Sequence, residues 1–145
     1  MLRSLVMAQR GAARDLMAEL ARALARQPDV RLALLFGSQA TGKATESSDV
    51  DLALDAPDAD LQALAGALSG DLGVDVDVVS LRQTTIPLLE ALVRDGVVIY
   101  ESSRGAAAAW RARALSELET DRPWFARMRD AWLRRVAEDG LERGK

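Results

Sequence analysis

Histidine and cysteine are both absent from this chain. Disulfides, zinc fingers, Ser-His-Asp triads and imidazole general bases are thereby excluded. Any catalysis must use carboxylates, hydroxyls or a bound metal. Long apolar runs are missing as well. Met1 to Arg26 carries arginines throughout and resembles neither a signal peptide nor a membrane span, so a cytoplasmic protein with no membrane partner is expected. An excess of positive charge is also lacking: 19 basic residues face 22 acidic ones, for a net charge of −3, and the basic residues crowd toward the two ends. This disfavours nucleic acid as a direct partner. What is present is 145 residues, enough for one domain that buries about two thirds of its unfolded surface.

Apolar periodicity divides the chain. Leu5, Ala12, Leu16, Leu20 and Leu24 recur at helical intervals, and Pro28 with Asp29 ends that helix. Val30 to Phe36 is short and apolar, as a buried strand requires. Thr41 to Ser48 is small and polar and reads as a loop leading into a second strand. Pro57 and Asp58 are expected to open a helix with Leu61, Leu64, Ala65 and Leu68 inward, closed by Gly70. Val74, Val76 and Val78 alternate with Asp75 and Asp77. Pro87 to Arg94 is expected to be helical, with Gly96 as its stop, before a last strand over 97–100. Beyond Ser102 two helical stripes are expected, Trp110, Ala114 and Leu118, then Phe125, Met128, Trp132 and Val136, with Pro123 between them and the final residues frayed. The expected fold is α/β, with strands around 30–36, 49–55, 74–80 and 97–100. Tryptophan and arginine often anchor protein interfaces, and the tail has both.

The stretch from Leu32 to Asp55 carries the chemistry. Side chains two apart on a strand share a face, so Val50, Leu52 and Leu54 turn to the core while Asp49 and Asp51 stand together on the opposite face. Two unit charges about 4 Å apart repel by roughly 1 kcal/mol in water and about 4 kcal/mol at an effective dielectric near 20. A sheltered pair therefore needs a cation, and oxygen ligands of this kind suit Mg²⁺ or Mn²⁺. A decoy lies beside them. Gly37 to Lys43 reads GSQATGK, close to a phosphate-binding P-loop, but Ala44 cannot ligate Mg²⁺ and a strand returns where a long helix should follow.

The pattern Gly37-Ser38, ten residues, Asp49-x-Asp51, with an apolar strand before it and an aspartate-bearing strand after it, resembles the nucleotidyltransferase superfamily that includes DNA polymerase β. It is most similar to the minimal nucleotidyltransferase branch, through LALLFGSQATGKATESSDVDLAL, VDVDVVSL and DGVVIYE over residues 30–101. The tail SELETDRPWFARMRDAWLRRV looks like the helical end of the antitoxins in that branch. The resemblance implies a nucleotidyltransferase fold, a small mixed sheet flanked by helices with a C-terminal helical tail. Residues 1–103 are then the core, and 104–145 a helical extension of the same domain.

Carried onto this chain, the resemblance implies that Gly37 and Ser38 hold the triphosphate of ATP. Asp49 and Asp51 would ligate Mg²⁺ (or Mn²⁺), and Asp77 would complete the catalytic site. Asp75 shares a face with Asp77, so facing leaves that third acid open, and the resemblance favours Asp77. Relatives commonly carry arginine where Gln39 and Thr41 stand, and Lys43 would supply the remaining positive charge as a point charge without bidentate geometry. The implied activity is transfer of AMP from ATP to a tyrosine of a HEPN RNase toxin, the partner it neutralises; the sequence leaves a homodimer and a hetero-oligomer both open. The missing arginines keep a second reading open, an antitoxin that acts by binding alone. A small-molecule nucleotidyltransferase of the antibiotic-modifying kind is a third, although only about forty residues remain for an acceptor lobe.

Overall fold

Leu16, Leu20 and Leu24 recur every four residues, and residues 15–25 form helix α1. The computed structural model describes residues 15–37, 40 and 49–143, so the helical positions Leu5 and Ala12 lie outside the described residues. Four strands follow: β1 (Leu32–Phe36), β2 (Val50–Asp55), β3 (Val76–Ser80) and β4 (Val97–Glu101). Between and after them run α2 (Leu61–Leu72), α3 (Ile86–Asp95) and α4 (Ala106–Arg143). The sheet order is β3-β2-β1-β4. β2 and β3 pair in parallel and the other two pairs are antiparallel, so the sheet is mixed.

Helices cover both faces of this sheet. On one face Leu20, Ala23 and Leu24 of α1 and Leu64 and Leu68 of α2 bury Ala33, Leu35, Val50, Leu52 and Leu54. On the other, Leu89 and Leu92 of α3 and Trp110, Ala114 and Leu118 of α4 bury Leu32, Leu34 and Ala53. The second strand is therefore apolar on both faces over Leu52–Leu54 and polar only toward its ends.

Several boundaries differ from the sequence expectation. α2 starts at Leu61 and not at Pro57, because the Asp60 carboxylate accepts from the backbone N–H groups of Gln62 and Ala63 at 3.0 and 3.3 Å. A cap of this kind contributes about 1 kcal/mol. The helix runs through Gly70 and ends at Gly73, whose φ of 69° is the left-handed conformation a helix stop favours. α3 begins at Ile86, with Thr85 Oγ1 accepting from Leu88 N, and Gly96 ends it as expected. The two tail stripes belong to one 38-residue helix that continues through Pro123 to Arg143. Its start is fixed by Glu101, whose carboxylate accepts from the N–H of Ala107 at 2.9 Å. Among the described residues no helix is long and apolar enough to cross a membrane.

Candidate active site

Strand register assembles the acids. Phe36 lies opposite Asp51 across the β1–β2 pair, and Asp51 lies beside Asp77 across the parallel β2–β3 pair. Neighbouring strands are about 4.8 Å apart, so these two carboxylates occupy adjacent positions on one face. Asp49 immediately precedes β2. Asp75 lies before β3, where its carbonyl accepts from Val50 N at 2.9 Å. Alternation alone leaves Asp75 and Asp77 equivalent; register puts Asp77 level with Asp51.

The face carrying these acids is the one covered by α3 and α4, but that cover stops short of Asp51. Ala53 is fully buried, Asp51 is half-buried, and Asp49 and Asp77 are exposed. Partial burial is the largest influence raising the Asp51 carboxyl above its ordinary pKa, followed by the charges of Asp77 and then Asp49. All three causes penalise the same negative charge, and a bound cation would relieve them together.

Gly37 closes the site from the β1 end. Its φ is 74°, and a Cβ at this position would run into Asp51 Oδ2. The backbone thus turns directly against the carboxylate, which only glycine permits. Ser38 and Lys43, expected phosphate donors, lie outside the described residues, as do Gln39 and Thr41. Among the described residues, no three His, Cys, Asp or Glu side chains are gathered into a ready-made metal cage. The donor set nonetheless fits a hard divalent ion, because it consists of carboxylate oxygens whose mutual repulsion already raises one of them.

A second feature carried no signal in the sequence. Asp55 stands on the same face as Asp51, about 13 Å along the strand, and Arg82 Nε donates to its Oδ1 at 2.7 Å. That pair lines a cleft of about 600 Å³ with Arg31, Trp110, Arg113 and Glu117. Asp55 is therefore engaged away from the acid cluster.

The family model for "Polymerase beta, Nucleotidyltransferase" matches residues 18–105. The chain belongs to this family. Its match spans every strand and both glycine and acid positions described above. Solved structures agree on the nucleotidyltransferase fold. A chain of a toxin–antitoxin crystallised with AMP-PNP is 25% identical, with a TM-score of 0.65, over 80% of this chain and 98% of that one. A chain of the toxin–antitoxin MntA-HepT is 23% identical, with a TM-score of 0.61, over 82% and 98%. A chain from a tri-AMPylated Shewanella oneidensis HEPN toxin in complex with MNT antitoxin is 23% identical, with a TM-score of 0.57, over 86% and 98%. A comparison with curated proteins found no significant match.

Proposed function

We propose that this nucleotidyltransferase is an MNT-type antitoxin that transfers AMP from ATP to a tyrosine of a cognate HEPN RNase toxin and so neutralises it. The observation that carries the reading is the register that sets Asp77 beside Asp51, with Gly37 turned against the same carboxylate. Family membership and the toxin–antitoxin neighbours, one with AMP-PNP and one with an AMPylated toxin, support it. Residues 1–103 form the catalytic unit and 104–145 its helical extension; a family match ending at residue 105 supports this division.

In this reading Asp49, Asp51 and Asp77 hold Mg²⁺ or Mn²⁺, which supplies charge neutralisation on the triphosphate and acidifies the attacking hydroxyl. Gly37 lets the backbone approach the phosphates without a side chain between. Ser38 and Lys43 donate to phosphate oxygens. The tyrosine oxygen bonds to the α-phosphorus, the bond to pyrophosphate breaks, and the phenolic proton leaves to water. No histidine is needed for any of these steps.

A binding-only antitoxin is the second reading. It is favoured by glutamine and threonine at 39 and 41, where arginine would clamp phosphate. Ligand-induced stabilisation separates the two. At a hundred times its dissociation constant, ATP with Mg²⁺ adds about 2.7 kcal/mol, and Asp49→Ala with Asp51→Ala removes the gain. An unchanged melting curve for folded wild type at millimolar ligand would favour binding alone.

A further inference from the structure

The far end of the acid-bearing face holds a cleft that nucleotidyl transfer leaves unused. It measures about 600 Å³, within the roughly 300 to 1,000 Å³ usual for small-molecule sites. Its walls come from separate parts of the chain: Asp55 ends β2, Arg82 and Thr84 lie between β3 and α3, and Trp110, Arg113 and Glu117 lie on α4. Arg31 completes the rim, pinned by its own backbone, whose N–H donates to the Asp55 carbonyl at 2.8 Å and whose carbonyl accepts from Ser102 N at 2.9 Å. Ala53, fully buried beneath α3 and α4, closes the face between this cleft and Asp51.

Donors without acceptors gather in it. Trp110 is only 8% exposed, yet its indole N–H has no hydrogen-bond partner among the described residues. A buried indole N–H ordinarily finds one. No enclosed side-chain nitrogen or oxygen among those residues lacks a partner, so this N–H reaches solvent, and the opening that Trp110 lines is the cleft. The Arg31 and Arg113 guanidinium groups likewise make no hydrogen bond or ion pair among the described residues. Arg82 differs, because it is bonded to Asp55 at 2.7 Å and lies in the field of Asp58, so its charge is already met. Two guanidinium charges and an indole donor thus share the cleft with one further carboxylate, Glu117, which has no ion pair among the described residues either. The surplus is positive. Thr84, next to the Thr85 cap, adds the positive end of the α3 dipole to it.

We propose that this cleft binds a phosphate monoester bearing hydroxyl groups, of the sugar phosphate or nucleoside monophosphate class. Phosphate oxygens accept from guanidinium groups in paired, fork-like geometry and from an indole N–H at the same time. Glu117 and the Thr84 hydroxyl then accept from the hydroxyls of the ligand. Inorganic phosphate alone would leave most of the cleft and both of these acceptors idle, and a carboxylate brings only two oxygens to three donor groups. An apolar ligand gains little, because Leu81, Leu89 and Ala114 on the floor are almost wholly buried already. The site lies about 13 Å along β2 from Asp51 and needs no metal.

The test uses the full chain in EDTA, so that no cation bridges a ligand to the acid cluster. Ribose 5-phosphate at millimolar concentration is expected to raise the melting temperature and to give a calorimetric binding isotherm, while ribose does neither. Arg113→Gln is expected to weaken ribose 5-phosphate at least tenfold, and Trp110→Phe, checked for folding by circular dichroism, to weaken it through loss of the indole donor. Arg127→Gln removes the same charge from the outer part of α4 and is expected to change nothing, as is Asp77→Asn at the acid cluster. Titration with AMP distinguishes the two sources. Binding tighter than that of ribose 5-phosphate, and lost with Arg113→Gln, identifies a nucleoside monophosphate, whereas equal or weaker binding identifies a sugar phosphate. Equal weakening by Arg113→Gln and Arg127→Gln would reduce the effect to ionic screening and overturn the proposal. Unchanged affinity in a folded Trp110→Phe chain would overturn it, as would loss of binding with Asp77→Asn, which moves the ligand to the acid cluster. So would a folded wild type that binds neither probe at tens of millimolar.

Discussion

Replacing Gly37 by alanine separates two effects that the structure places at one residue. The backbone effect comes from φ of 74°, a conformation that costs an L-residue about 1 to 2 kcal/mol. For a chain of this size that lowers the melting temperature by about 3 to 8 °C. The site effect comes from the new Cβ, which collides with Asp51 Oδ2 and forces that carboxylate aside. Gly73 supplies the control. Its φ is 69°, and a Cβ there meets nothing within 4 Å. Gly73→Ala should therefore lose stability to a similar extent and keep its response to ATP with Mg²⁺. Gly37→Ala should lose that response as well, because a carboxylate displaced by an ångström or more no longer presents the same ligand atoms. Scanning calorimetry with and without the ligand measures both variants. Equal ligand responses in the two, or a larger loss in Gly73→Ala, would refute the reasoning.

Other outcomes follow from the same geometry. Asp77→Asn should abolish AMP transfer to the toxin while Asp75→Asn leaves most of it, since only Asp77 stands level with Asp51; reversed effects would contradict that register. Asp51→Asn should stabilise the metal-free protein at neutral pH. The folded-state carboxyl titrates above its ordinary value of 3.8, so its ionisation opposes folding as pH rises past that value. The gain should shrink as pH falls toward and below 3.8, and equal gains at pH 3 and pH 7 would count against the repulsion described. Mg²⁺ should reduce the same gain, because a cation offsets the charge that asparagine removes.

Much of this fold is legible because its strands are short apolar runs between polar turns. Leu32 to Phe36 and Val50 to Leu54 declare themselves in this way. The ends of α2 do not. Asp58 and Asp60 both suit a cap by residue type, and only the backbone path decides that Asp60 reaches the N–H groups of Gln62 and Ala63. Gly70 and Gly73 are likewise equivalent as letters, and the one with positive φ ends the helix. Pro123 marks a break by its chemistry, at a cost of about 3 kcal/mol in a helix interior. The helix persists across it, with Leu118 buried on one side and Arg122 Nε bonded to Glu90 at 2.7 Å beside it. The acid pair Asp49-x-Asp51 could be found from alternation, since a period of two puts both on one face. The placement of Asp77 beside them is a property of strand register, which depends on a partner strand more than twenty residues away. The Arg82–Asp55 pair depends on tertiary contact in the same way, and no local pattern announces it.

One experiment bears most directly on the proposed activity. The purified chain and its cognate HEPN toxin are incubated with ATP and Mg²⁺, and the intact mass and RNase activity of the toxin are then measured. The account expects AMP mass added on a toxin tyrosine together with loss of RNase activity, both absent when Asp49→Ala replaces the wild type. Loss of RNase activity with no change in toxin mass, undiminished by Asp49→Ala, would contradict it.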